Sequence, residues 1–208
     1  MELQYYGANC VRITTKNADI IVDDNLADLG LKTVTKANDI ELITQYKPEQ
    51  KSSGGLLINQ PGEYEVSKVS IQGVEARGHM DEEGQQSATI YKLTTPEVRV
   101  AIVGHIYPDL DDNQLERIGT VDVLIVPVGG NGFTLDAVGA LKVIKKIEPK
   151  IIVPVHYADK AVKYEVPQAD LSEALKDMSM EVHETVPKLK LKSSDLPEAA
   201  QVVVVERQ

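Results

Sequence analysis

The chain has 208 residues, of which 42% are hydrophobic and 26% charged, and carries a formal net charge of −10. That length buries one sizeable core or two small coupled halves, and a uniformly acidic chain repels phosphate backbones, which argues against general nucleic-acid binding. No apolar run approaches the ~20 residues that cross a bilayer, so no membrane partner is expected.

Cys10 is the only cysteine. It excludes an internal disulfide and a multi-cysteine zinc site, and reads as a small buried hydrophobe. The start, "MELQYYGANCV", lacks a basic segment followed by an apolar one, so no signal peptide is expected. The cytoplasm is the expected compartment.

In chain order, "LQYYG", "CVRITT", "ADIIVDD" and "DIELIT" read as strands, followed by "GLLIN", "VSIQGVEA", "SATIYKLT" and "VRVAIVG". Each is a β-branched or aromatic run bounded by Gly, Pro, Asn or Asp. "DDNQLERIG" predicts a short helix, with Asp before it and Gly after it. "VDVLIVPV" is a continuous apolar run, as in a strand buried on both faces. "TLDAVGALKVIKKIE" predicts the clearest helix, capped by Thr134, with Leu135, Val138, Leu141, Ile144 and Ile147 on one stripe. "KIIVPVHY" is a second buried strand, and "ADLSEALKDM" a helix with Asp170 and Glu173 spaced as a capping box. "EVHETV", "KLKLK" and "AQVVVVE" close the chain as strands. The alternation in "KLKLK" marks one charged, solvated strand face rather than a binding patch. Strands from both ends with helices interleaved late predict two packed sheets with helices outside, in one domain over 1–208.

Polar groups collect where strands stop. "DIELIT" runs into Gln45, Tyr46, Lys47, Glu49 and Gln50. Three other strand-like runs lead to His79, to His105 and to the pair His156–Tyr157. Loops at strand ends of layered α/β proteins build sites on a rigid scaffold. A lone histidine in such a place is more often a hydrogen-bonded structural residue than a ligand. Three of the four histidines in these positions make a shared cleft the expectation; His183 lies within an alternating strand and reads as a surface or half-buried residue.

The stretch "YYGANCVRITTKNADIIVDD", together with "PGEYEV", "DVLIVPVGGNGFTLDAVGAL" and "PKIIVPVHY", resembles the metallo-β-lactamase superfamily, in particular its small UlaG-like hydrolases. The resemblance implies an α/β (α+β) fold, a four-layer αββα sandwich with a metal site along one edge of the two sheets. That family holds two metal ions through a strand-end motif, Thr-His-x-His-x-Asp-His, and residues 44–50 occupy its place. Thr44 remains, but the two following histidines become Gln45 and Lys47, the aspartate becomes Glu49 and the last histidine Gln50. His79 and His156 match two further family histidines, His105 replaces the bridging aspartate, and the early Gly-His pair is Gly7-Ala8.

These departures bear directly on the chemistry. A Gln amide is a poor zinc ligand, a Lys ammonium repels a divalent cation, and a neutral His105 cannot bridge two ions as a carboxylate does. Lys47, paired with Glu49, would set a fixed positive charge where the family holds a metal. The leading expectation is a non-catalytic or repurposed protein without a metal cofactor, binding a small molecule or a protein. Glu49, His79, His105 and His156 would form the vestigial site, with Gln45, Lys47, Gln50 and Tyr157 lining the cleft. The alternative is one zinc or other divalent metal on His105 and His156 with Glu49 or His79, serving hydrolysis of a phosphoester, ester or lactone. A third reading is metal-free acid–base chemistry by the histidines, Glu49 and Lys47.

Overall fold

The computed structural model of the protein describes residues 1–46 and 55–208. Its strands are β1 (Glu2–Gly7), β2 (Cys10–Thr14), β3 (Asp19–Val22), β4 (Ile40–Leu42), β5 (Leu56–Ile58), β6 (Gly62–Val66), β7 (Val69–Ala76), β8 (Ala88–Thr94), β9 (Arg99–Ile102), β10 (Val123–Pro127), β11 (Ile151–Val155), β12 (Val182–Val186), β13 (Leu189–Lys190) and β14 (Gln201–Val205). The helices are α1 (Asp112–Ile118), α2 (Ala137–Ile147) and α3 (Leu171–Asp177). Among the described residues these strands make a six-stranded sheet, β13-β1-β2-β3-β4-β5, and an eight-stranded sheet, β12-β14-β11-β10-β9-β8-β7-β6.

Alternation along the strands decides which side chains meet. Leu3, Tyr5, Val11, Ile13, Ile20 and Val22 of the smaller sheet face Tyr91, Leu93, Val100, Ile125 and Val153 of the larger one, forming the core between them. The opposite face of the larger sheet carries Ile90, Ala101, Leu124, Val126 and Ile152, which pack under all three helices. The two central strands, β10 and β11, are buried at every residue and pair in parallel, as the continuous apolar runs predict. The outer face of the smaller sheet is covered differently. Cys10 and Ile21 pack there against Leu26, Leu31 and Val34, in a segment of turns rather than a helix. Arg12, also on that face, ties the segment down through Asp39 and the Val34 carbonyl. The mixed α/β fold with two facing sheets expected from the sequence is therefore present. Among the described residues, no helix is long and apolar enough to cross a membrane.

Local details depart from expectation in instructive ways. Asp136, not Thr134, caps α2, its carboxylate accepting from the Gly139 N–H at 2.7 Å. The buried face of α2 is Gly139, Ala140, Val143, Ile144 and Ile147. Val138 instead stands in solvent at 73% exposure. Small residues at 139 and 140 admit the helix close to the sheet, which turns the branched Val138 outward. Asp170 sits at the N-cap of α3 without a side-chain bond, so the predicted box with Glu173 is not formed. A reciprocal box does form at α1, between Asp111 and Gln114. Sequence periodicity also passed over β6, an antiparallel partner of β7 whose Gly and two Glu dilute its strand signal.

Candidate functional site

Just past β4 the chain bonds to both sheets. The Asp23 carboxylate accepts from the Thr44 N–H at 2.8 Å and the Thr44 hydroxyl at 2.6 Å. The Thr44 carbonyl then accepts from Thr89 N–H at 2.7 Å, Gln45 bridges Ala88, and Tyr46 N–H donates to Ser87 at 2.9 Å. Strand-end residues 44–46 are thus stitched to β8 of the larger sheet. Lys47, Glu49 and Gln50, singled out from the sequence, lie outside the described residues.

The end of β9 brings His105 to the same place. Gly104 precedes it in the left-handed region, at φ +59°, and a Cβ there would lie 2.2 Å from Thr44 Oγ1. Only glycine allows both the turn and this approach. Gly104→Ala should therefore lower stability by about 2–5 kcal/mol, combining a left-handed Ala with overpacking. Urea unfolding measures it, and a loss below about 0.5 kcal/mol would mean that the Thr44 contact is not tight.

His156 follows β11, also left-handed at φ +52°. Its N–H donates to the Ala8 carbonyl at 2.9 Å, which ties the end of β11 to the β1–β2 turn. Its ring meets His105 edge to face, with centroids 4.7 Å apart, and lies 5.0 Å from the Tyr164 ring. Its Nδ1 is 3.2 Å from Gln168 Oε1, a contact in which Nδ1 carries the proton. Burial pushes the imidazole down to about 4, against the opposing pull of the Gln168 bond. At neutral pH the ring is uncharged, and its Nε2 keeps a lone pair.

These elements enclose a cleft of about 840 Å³. Gln45, His105 and His156 line it, with Asn9, Asp23 and Gln168. Ala8, Asp23 and His156, all on its wall, have left-handed backbones, a local strain of the kind that gathers at functional sites. His79 is placed differently. Its N–H donates to the His105 carbonyl at 2.8 Å, while its ring Nδ1 lies 3.3 Å from the Ile106 carbonyl and the ring does not line the cleft. Tyr157 packs its ring on Tyr5 at 5.7 Å, within the core, and Tyr164 is the tyrosine on the cleft wall.

The described side chains do not by themselves fit a metal ion. Among the described residues no group of three or more His, Cys, Asp or Glu is disposed to hold one. His105 and His156 supply two imidazoles, where a catalytic zinc takes three protein ligands. The nearby Asp23 carboxylate already accepts from two Thr44 donors. Asn9, Asp23, Tyr164 and Gln168 escaped sequence reasoning, because each reaches the cleft only through the end of a strand or a return loop.

Comparison with known proteins agrees with this architecture. Over 182 residues the chain is 27% identical to a UPF0173 protein of Pyrococcus abyssi, covering 76% of this chain and 83% of that protein. A UPF0173 metal-dependent hydrolase of Thermococcus onnurineus is 27% identical over 154 residues, covering 72% and 67%. A UPF0173 metal-dependent hydrolase of Carboxydothermus hydrogenoformans is 47% identical over 47 residues, a match spanning 23% of this chain and only 20% of that protein. In three dimensions, a metallo-β-lactamase superfamily protein of Thermotoga maritima superposes with a TM-score of 0.78 at 24% identity, covering 99% of both chains. A metallo hydrolase of Ignicoccus hospitalis superposes with a TM-score of 0.64 at 17% identity, covering 99% and 94%. Residues 2–156 match the beta-lactamase superfamily domain, and with two facing sheets and a histidine-lined cleft at their edge the chain belongs to that superfamily.

Proposed function

We propose that this protein has given up the two-metal hydrolase chemistry associated with its fold and keeps the cleft to bind a small ligand. The observation that carries the reading is the donor set. His105 and His156 face each other at 4.7 Å without a third ligand among the described residues. The sequence of 45–50, with Gln45, Lys47 and Gln50 at expected histidine positions, supports it independently. In this reading the neutral His156, held by Gln168, is a polar wall of the cleft rather than a metal ligand.

The second reading is a single-metal hydrolase with His105, His156 and Glu49 or His79. It is favoured by relatives named metal-dependent hydrolases. Metal analysis of untagged protein after dialysis separates the two. The expected result is no stoichiometric zinc, and a melting temperature that neither excess zinc nor chelator moves. A site binding zinc in the folded state alone would stabilise by about 2.7 kcal/mol at a hundredfold excess over its Kd. Stoichiometric zinc with a clear drop in melting temperature on chelation would establish the second reading instead.

A further inference from the structure

Three apolar side chains reach the cleft from separate loops: Tyr46, Met80 and Phe133. The first two stand on one hydrogen-bonded unit. Tyr46 N–H donates to the Ser87 carbonyl at 2.9 Å. Ser87 donates in turn to the Asp81 carboxylate, through its N–H at 2.8 Å and its hydroxyl at 2.7 Å. The same carboxylate accepts from the Gly78 N–H at 2.7 Å, so the turn that carries Met80 is fixed to the segment that carries Tyr46. Phe133 comes from the connection between β10 and α2. The three residues before it, Gly130, Asn131 and Gly132, are all left-handed, at φ +71°, +56° and +81°. Glycine and asparagine are the residues that tolerate such a run. The Asn131 amide donates to the Pro167 carbonyl, which ties this turn to the loop that returns after β11.

Tyr46, Met80 and Phe133 are three of the six large hydrophobic residues that stand exposed among those described; the other three, Leu56, Val138 and Val182, do not line this cleft. Exposed apolar side chains gathered at a concavity are the usual make-up of a small-molecule site, where they grip the body of the ligand. The charge around them is one-sided. The described cleft residues include four carboxylates, Asp23, Asp24, Asp28 and Glu165, against one lysine, Lys163. The sequence of 47–54 adds two lysines and one glutamate, which leaves the balance negative. Asp23 and Asp24 act through their field, because Thr44 holds the first and Val34 and Thr35 hold the second. Asp28 and Glu165 stand exposed to solvent. The Lys163 N–H donates to the Leu29 carbonyl at 2.9 Å, which draws together the two segments that carry them.

We infer that the cleft binds an organic cation, its apolar, aromatic-sized body held by Tyr46, Met80 and Phe133 and its ammonium group drawn to Asp28 and Glu165. The inference rests on the reading of the cleft as a ligand site. It adds the chemistry of the ligand and the residues that recognise it. Charge complementarity selects the cation, since a negative field focused in a concavity concentrates ammonium ions and repels phosphates and carboxylates. The rings of Tyr46 and Phe133 act in the same direction, because an aromatic face attracts a cation as well as an apolar surface. A small inorganic cation would meet the charge but leave the apolar side chains without a partner.

Benzylamine, benzyl alcohol, benzoate and methylammonium are the probes, titrated into the full chain and followed by amide chemical shifts. Benzylamine should bind with a Kd of about 10 mM or tighter, as expected for so small a ligand. Its shifts should map to residues around Tyr46, Met80, Phe133 and Glu165. Benzyl alcohol, which has the ring without the charge, should bind at least about threefold more weakly, and benzoate more weakly still. Methylammonium, which has the charge without the ring, should not bind measurably. Added salt should weaken benzylamine and leave benzyl alcohol unchanged. Asp28→Asn combined with Glu165→Gln should bring benzylamine down to the level of the alcohol, whereas Phe133→Ala should weaken both ligands alike. These residues are exposed, so the melting temperatures of the variants should stay close to that of the parent. Absence of benzylamine binding would overturn the inference, and so would benzyl alcohol or benzoate binding as well as the amine, neither of which needs a variant. Benzylamine binding that the double carboxylate variant leaves unchanged, or shifts confined to residues away from the cleft, would also overturn it. Failure of the ligand-site reading itself is registered separately, by stoichiometric zinc in the metal analysis.

Discussion

Asp39→Ala should unfold at a much lower denaturant concentration than the parent, with a loss of about 3–5 kcal/mol. The Arg12 guanidinium donates to Asp39 through Nη2 at 2.9 Å and Nη1 at 3.3 Å. The two side chains are only 6% and 4% exposed. Burial opposes the charge on Arg12, but the Asp39 bond and its negative charge more than offset this and hold the guanidinium protonated. Removing Asp39 leaves that charge only the looser Asp19 carboxylate at 3.5 Å and the Val34 carbonyl, and also frees the Lys36 N–H that bonds the Asp39 carboxylate at 2.7 Å. The segment over the smaller sheet, including the Asp24 loop of the cleft, would lose its tether. Arg12→Met combined with Asp39→Leu should recover much of the loss, since an apolar pair needs no compensation. Urea midpoints of the single and double variants are the measurement. A single-variant loss below about 1 kcal/mol would place the pair in the class of solvent-screened surface bridges. Lys142→Ala, which breaks the exposed Lys142–Asp109 pair, is the comparison that should be close to neutral.

Gln45→His, Lys47→His, Glu49→Asp, Gln50→His and His105→Asp together should raise zinc binding above that of the parent, to one or two ions per chain. The scaffold around the cleft is that of the superfamily, and in the reading proposed above what differs is the ligands. Lys47→His should matter most for the first ion, because it replaces a repelling ammonium by a neutral donor. His105→Asp should matter most for the second, because a carboxylate can bridge two ions and a neutral imidazole cannot. Hydrolysis need not return, since ligands loose by ~1 Å can hold a metal unproductively. Calorimetric titration of the folded five-fold variant checks this. If it binds no more zinc than the parent, the cleft has been reshaped beyond its ligands, or the alignment of residues 44–50 with the family motif is wrong.

The strands were legible because their signal is local. The continuous apolar runs of 123–127 and 151–155 announce strands covered on both faces, and they are the parallel centre of the larger sheet. The existence of α2 was legible for the same reason, through its apolar spacing. Its orientation was not, because Val138 and Ala140 compete for the sheet and the sheet prefers the smaller residue. A cap is a matter of a single backbone turn, and Asp136 took the place assigned to Thr134 once the helix began at Ala137.

The cleft divides along the same line. The sequence by itself determined that histidines stand at strand ends and that Cys10 has no cysteine partner. Each of these is a statement about neighbours in the chain. Only the tertiary structure decided that His105 and His156 meet while the His79 ring turns to the Ile106 carbonyl, and that Tyr164 rather than Tyr157 faces the cleft. It also held His156 against both Ala8 and Gln168. Those relations depend on strand register and on loops returning from distant parts of the chain. Burial there depends on what the other sheet places above a residue, and no short window of sequence contains that information.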